Sequence, residues 1–303
     1  MRKLSEVLVF EVVAVLAFST VTFSQNQVPV IQDGTPVVLA QTPTPRTRSG
    51  KPDLTGMWAV PSDDEEKILI SRFGSEKAEP PSLTPWAAER LEYNTDRRPV
   101  PGYTGPEAPG TNDPKKFLTR EGGGIFGGRT ELNPIYKCVP PGAAYLIAGW
   151  QSSATQEVIQ TDKRVLMIYE YDHTVRQIWT DGRKHPDPVD LTWMGHAIGT
   201  WDGDTLVVDT VGLRNEVWLD GRGHMASTGL HIVERYQRVD NYTLRIDFTF
   251  DDPKAFKKPW TRHEFRRLRP NWDLVESETR CYPGSPELKT WEETYNEVFT
   301  EPN

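Results

Sequence analysis

The stretch Tyr242-Thr243-Leu244-Arg245-Ile246-Asp247-Phe248-Thr249-Phe250 decides the fold class. Its apolar and polar residues alternate with a period of two, so an extended chain turns one greasy face inward and one polar face to water. That is the pattern of an antiparallel sheet with one solvated side. Residues 230–239 precede it across Asp240-Asn241, a tight hairpin turn. Working outward, strand texture recurs at 157–160, 165–171, 174–180, 192–201 and 206–211, the last two joined through Asp202-Gly203-Asp204. A final pair, 263–268 and 273–280, turns at Pro270-Asn271. About eight strands on short turns must hide their edges, which predicts a mainly β protein. The expected form is an antiparallel, lipocalin-like barrel or strongly curved sheet, wound as an up-and-down meander. Helix is expected only in short pieces: Thr84 is a good N-cap, Pro85 suits the first helical position, and helix formers follow over 86–93.

The 303 residues, 37% hydrophobic and 26% charged, are enough for a sizeable core. A net charge of -8 with no basic stripe argues against nucleic acid as a partner. Residues 1–24 read as a signal peptide, with Arg2 and Lys3 ahead of an apolar run over 7–23 that only Glu11 interrupts. The alternative, a membrane anchor, needs roughly 20 apolar residues and no buried acid. A polar leader over 25–51 follows, and a single β-rich domain runs from 52 to 303. Periplasmic or secreted location is expected, with no membrane attachment after cleavage. Cys138 and Cys281 either pair or stay as free thiols, since spacing does not decide. The Pro/Gly-rich segment before 128, with Gly122-Gly123-Gly124, is a surface wrap or a lid.

All six histidines lie between 173 and 263, within the β region. Imidazole titrates near neutral pH and can move protons or, when neutral, bind metal. No HxH or HExxH pair occurs, so no metal site is assigned and no cofactor is expected. The candidate catalytic groups are His185, His196, His231, Asp181 and Asp220. Arg183, in the loop Asp181-Gly182-Arg183-Lys184-His185-Pro186, is placed to clamp an anionic group, unless the loop is an ordinary solvated hairpin turn. Trp193, Trp201, Trp218 and His224 are the other candidate binding residues. With Gly195 and Gly199 between them on one strand, Trp193 and Trp201 either leave room for a flat ligand or mark a bend. On 230–236, either His231 or Glu234 must face inward, Glu234 more naturally as a buried ion pair. Residues 206–209 read as a fully buried strand whose Asp209 caps or orients a neighbour.

Several of these strings carry a resemblance. Pro52-Asp53-Leu54-Thr55-Gly56-Met57-Trp58, the Asp181–Pro186 loop, Trp193-Met194-Gly195-His196 and Trp201-Asp202-Gly203-Asp204-Thr205-Leu206-Val207-Val208-Asp209-Thr210 are similar to an uncharacterised family of exported proteins from environmental bacteria. Trp218-Leu219-Asp220, Leu230-His231, Glu234-Arg235 and Lys258-Pro259-Trp260-Thr261 fit it too, whereas Ala226 stands where that pattern leads one to expect His. The resemblance implies export but no activity. More loosely, the architecture resembles lipocalin-like barrels, which include both carriers and cofactor-free lyases, isomerases and hydratases. Three readings therefore stand: a cofactor-independent enzyme on a small apolar or aromatic substrate, a small-molecule carrier, and a metal-dependent hydrolase. The partner expected in each is a small molecule.

Overall fold

The computed structural model describes residues 43–73, 80–95, 139–148, 155–170, 174–215 and 218–273, all within one compact unit spanning Ala40–Asn303. The expected signal peptide, the lid segment over 121–128, His173, Cys138, Cys281 and residues 274–280 lie outside the described residues. Nine strands close into one barrel in chain order: β1 (Gly56–Ala59), β2 (Thr155–Gln160), β3 (Arg164–Tyr169), β4 (Val175–Trp179), β5 (His196–Asp202), β6 (Thr205–Val211), β7 (His231–Asp240), β8 (Thr243–Asp251) and β9 (Trp260–Leu268). β1 seals the ring against β9 through Trp58 opposite Leu268. The alternation in β8 holds: Leu244, Ile246, Phe248 and Phe250 are buried. Among the described residues no helix is long and apolar enough to cross a membrane.

The barrel is mixed, not a pure meander. Every antiparallel joint reverses the chain direction, so a closed ring with an odd number of strands needs a parallel joint. That joint is β4–β5, with Ile178 opposite Ala197 and Trp179 opposite Ile198. Two parallel neighbours cannot share a hairpin. The chain must return along the barrel, and residues 180–195 make this crossover. Two expectations change accordingly: residues 181–186 open the crossover and are not a hairpin turn, and β5 begins at His196, leaving 192–195 as loop.

Among the described residues three helices accompany the barrel. α2 (Pro85–Thr95) starts as expected, with the Thr84 carbonyl accepting from Ala88 N–H at 2.9 Å. α3 (Gly142–Ala148) is buried along Ala143–Ile147 and joins the barrel core. α1 (Asp63–Phe73) carries no apolar stripe to mark it, because it buries only Leu69 and the carboxylate of Glu65. Its Ser62 and Glu65 form a capping box: Ser62 N–H donates to Glu65 Oε2 at 2.9 Å. The same buried carboxylate accepts from Arg267 Nε at 3.0 Å and Arg269 Nη2 at 2.6 Å, fastening α1 to the end of β9.

Inside the ring a second ion pair replaces part of the apolar core. Arg176 on β4 donates to Glu234 on β7 at 2.7 and 2.5 Å, and to Thr210 Oγ1 on β6 at 2.9 Å. Tyr236 O–H adds a 2.5 Å bond to Glu234. Burial works against the guanidinium's charge, but the facing Glu234 carboxylate wins and raises the Arg176 pKa. Glu234 is therefore the inward residue of its strand, and His231 points out. Removing one partner strands the other charge in a dry interior. Arg176→Met should cost about 3–5 kcal/mol in urea denaturation, and Arg176→Met with Glu234→Leu should recover most of it. A single variant as stable as the unaltered chain would show that water reaches this pair.

Candidate functional site

On β5, β6 and β7 the inward positions are Ala197 and Gly199, then Leu206, Val208 and Thr210, then Ile232, Glu234 and Tyr236. Period two puts His196, Asp209 and His231 on the outer face. Ile198 sits opposite Asp209, and Asp209 opposite Val233. His196 pairs with Val211, two residues along the same face, and Thr210 pairs with Ile232. The carboxylate thus has an imidazole on each neighbouring strand, one pleat nearer the end where β5 and β7 begin. Asp209 is half-exposed and on an alternating strand, not at the end of a fully buried one.

The crossover adds the third imidazole. His185 Nε2 lies 2.9 Å from Asp209 Oδ1, and its Nδ1 lies 2.8 Å from His196 Nδ1. A carboxylate only accepts, so Nε2 of His185 carries the hydrogen. With no second hydrogen on its ring, His185 accepts at Nδ1, and His196 then donates from its own Nδ1. By elimination the Nε2 of His196 bears a lone pair. The rings of His185 and His196 meet edge to face, with centroids 5.0 Å apart. Burial, then the neighbouring His185 and the charge of Arg183, lower the His196 pKa from its ordinary 6.5, favouring the neutral, basic form. His231 Nε2 comes within 3.1 Å of Asp209 Oδ1 but off the axis of a hydrogen bond, and no other protein partner satisfies it among the described residues. Side-chain exposures of 22% for His185, 41% for Asp209 and 38% for His231 leave the group open to a solute.

The remaining candidates fall elsewhere. Asp181 is spent on Arg183, accepting from its Nε at 2.9 Å and Nη2 at 2.6 Å. That bond pulls the carboxyl down to about 2. Arg183 lies flat on Trp179, its guanidinium carbon 3.4 Å from the ring centroid. Asp220 and His224 form a separate pair at 2.8 Å in the connection between β6 and β7, with His224 tilted against Trp260. Burial opposes the charge of Asp220, but the bonds from His224 and two backbone N–H groups prevail and lower its pKa. Trp218 is buried beside this pair and bridges to Met225.

Trp193 is in the loop before β5, under the guanidinium of Arg214. Trp201 packs against the core from β5. The space beside Gly199 between them is filled: a methyl there would meet Thr180, Ile178 and Leu206 at 3.0–3.1 Å. Gly195 has φ +64° and lies where a side chain would strike the Val211 carbonyl, so this glycine serves a bend. Close by, at the same end of the barrel, Ala143, Trp193, Leu213, Leu219 and Leu230 line a small pocket together with Arg214 and Asn215.

The three imidazoles of the outer group and the orienting carboxylate of Asp209 are each legible in the sequence. Their union is not, because the register that joins them spans three strands and a crossover. Among the described residues no group of three or more His, Cys, Asp or Glu is arranged to hold a metal ion. Comparison with protein-family models, with curated proteins and with solved structures finds no match.

A depressed His196 pKa fixes the sign of a pH effect. The unfolded chain takes up this proton first as pH falls. The stabilising contribution of neutral His196 is therefore complete above 6.5 and is lost as pH drops through the folded-state value. Imidazole NMR should find His196 titrating below 6.5, with its hydrogen on Nδ1 at neutral pH. Titration at or above that value, or a hydrogen on Nε2, would contradict the tautomer chain.

Proposed function

We propose that this chain is an enzyme that needs no cofactor and uses His196 as a general base on a small apolar or aromatic molecule at the barrel's outer face. The observation that carries the reading is the hydrogen-bonded chain Asp209–His185–His196, which ends in an imidazole lone pair. A general base must be neutral at working pH, oriented, and backed by a group that stabilises the charge it acquires. Burial and nearby positive charge keep His196 neutral. His185 fixes its ring. When His196 Nε2 takes a proton, the one on its Nδ1 can pass to His185 Nδ1, which leaves the positive charge beside the Asp209 carboxylate. His231, reaching the same carboxylate oxygen from the next strand, is the group we assign to return a proton. Abstraction and return together are what an isomerase, lyase or hydratase requires. Export to the periplasm or medium belongs to the same proposal, on the strength of Arg2 and Lys3 before the apolar run of residues 7–23.

5-Nitrobenzisoxazole tests the base directly. Removal of its C3 proton turns the C–H electron pair into a nitrile, breaks the N–O bond and releases a coloured cyanophenolate. Turnover should fall about 10²-fold or more in His196→Ala. It should fall also in His185→Phe and Asp209→Asn, with the acid limb of the pH profile moving in the latter two. A rate unchanged by His196→Ala would remove the base assignment.

A further inference from the structure

We propose that the outer-face site takes a small carboxylate, anchored end-on by Arg183; this rests on the general-base reading for its catalytic meaning but not for its binding. A guanidinium offers two fork-shaped edges for oxyanions. Asp181 occupies the Nε–Nη2 edge, with contacts of 2.9, 3.2 and 2.6 Å. The Nη1–Nη2 edge is not engaged by any hydrogen bond among the described residues. The group is nevertheless held rigidly. Trp179 supports its flat face at 3.4 Å, and Asp181 fixes its rotation. A cation clamped on one edge and one face, with its second edge open, is oriented before any ligand arrives, which reduces the ordering cost of binding.

The second edge belongs to the same surface as the base. Trp179 faces outward on β4 and stands opposite Ile198, two residues along the outer face from His196. Strands about 4.8 Å apart that rise about 3.3 Å per residue put these two positions about 8 Å from one another. One small molecule can therefore place a carboxylate on Arg183 and a C–H bond towards His196. The field of Arg183 already reaches the imidazole, as its effect on His196 protonation shows. Asp181 also has a purpose in this arrangement. Left alone, an exposed arginine would accept any anion loosely; paired on one edge, it keeps local charge near neutral and presents a single planar fork suited to a carboxylate.

The test uses the full chain with benzoate, its neutral counterpart benzamide, and phenyl phosphate, followed by calorimetry and by inhibition of 5-nitrobenzisoxazole turnover. Benzoate should bind, weaken as salt is raised, and inhibit competitively, while benzamide binds at least tenfold more weakly. Arg183→Lys should lose at least tenfold in benzoate affinity with an unchanged urea midpoint, because a point charge cannot replace the fork. Asp181→Asn, which frees the rotation and the second edge of the guanidinium, should narrow the preference for benzoate over phenyl phosphate. Equal binding of benzoate and benzamide, or benzoate affinity indifferent to Arg183→Lys, would overturn the proposal. Tighter binding of phenyl phosphate than of benzoate would overturn it in favour of a phosphate ligand. Benzoate binding in a protein that never turns over the benzisoxazole would sustain carboxylate recognition and sink only the base.

Discussion

A ring of nine strands cannot close through antiparallel joints alone, and much of this molecule follows from how that constraint is met. The parallel joint falls between β4 and β5. It forces residues 180–195 to travel back along the barrel, and they do so over its outer surface. Val189 packs against Gly212, Thr192 N–H donates to the Gly212 carbonyl at 2.9 Å, and His185 settles on Asp209 and His196. Had the ring contained eight strands in a plain meander, a short hairpin would stand here. The outer face of β5–β7 would then be two histidines and an aspartate in water.

The interior has a different character. Arg176, Glu234, Thr210 and Tyr236 link β4, β6 and β7 through hydrogen bonds that only one register satisfies. A buried ion pair of this kind is weak evidence for stability against an apolar substitute. Its consequence is positional. It aligns inward residues of the same strands whose outward residues are His196's neighbours, Asp209 and His231. A shift of one residue in β7 would turn Glu234 to solvent and His231 into the core. The inner pair thereby guards the geometry of the outer group.

Two ends of the barrel are finished differently. At the end where β7 and β9 finish, buried Glu65 ties α1 to Arg267 and Arg269, and Arg72 reaches Asp240 at 2.9 Å. At the other end α3 packs into the core and the Asp220–His224 pair stiffens the connection between β6 and β7. Asn94 of α2 donates to the Gly223 carbonyl there at 2.8 Å. Asp220 accepts from His224 and from two backbone N–H groups of its own loop, and His224 leans on Trp260 of β9. The imidazoles that share Asp209 make few contacts of that kind and remain open to solvent.

The mainly β class, most strand positions between 157 and 268 and the inward face of β8 were determined by the sequence, because period-two alternation is local and burial follows from it. The helix at Thr84 was local too; the choice between Glu234 and His231 for the inward position was not, and it fell to Arg176 across the barrel. The parallel joint was not, since parity is a property of the closed ring and no segment carries it. α1 escaped because it buries only one apolar residue, Leu69, beside a glutamate, Glu65, whose partners Arg267 and Arg269 lie about two hundred residues away. The site shows the same division. Each of His185, His196, His231 and Asp209 could be picked out as chemically interesting from its own neighbourhood. Their order in a hydrogen-bonded chain, and with it the nitrogen that keeps a lone pair, exists only where the crossover and three strands meet.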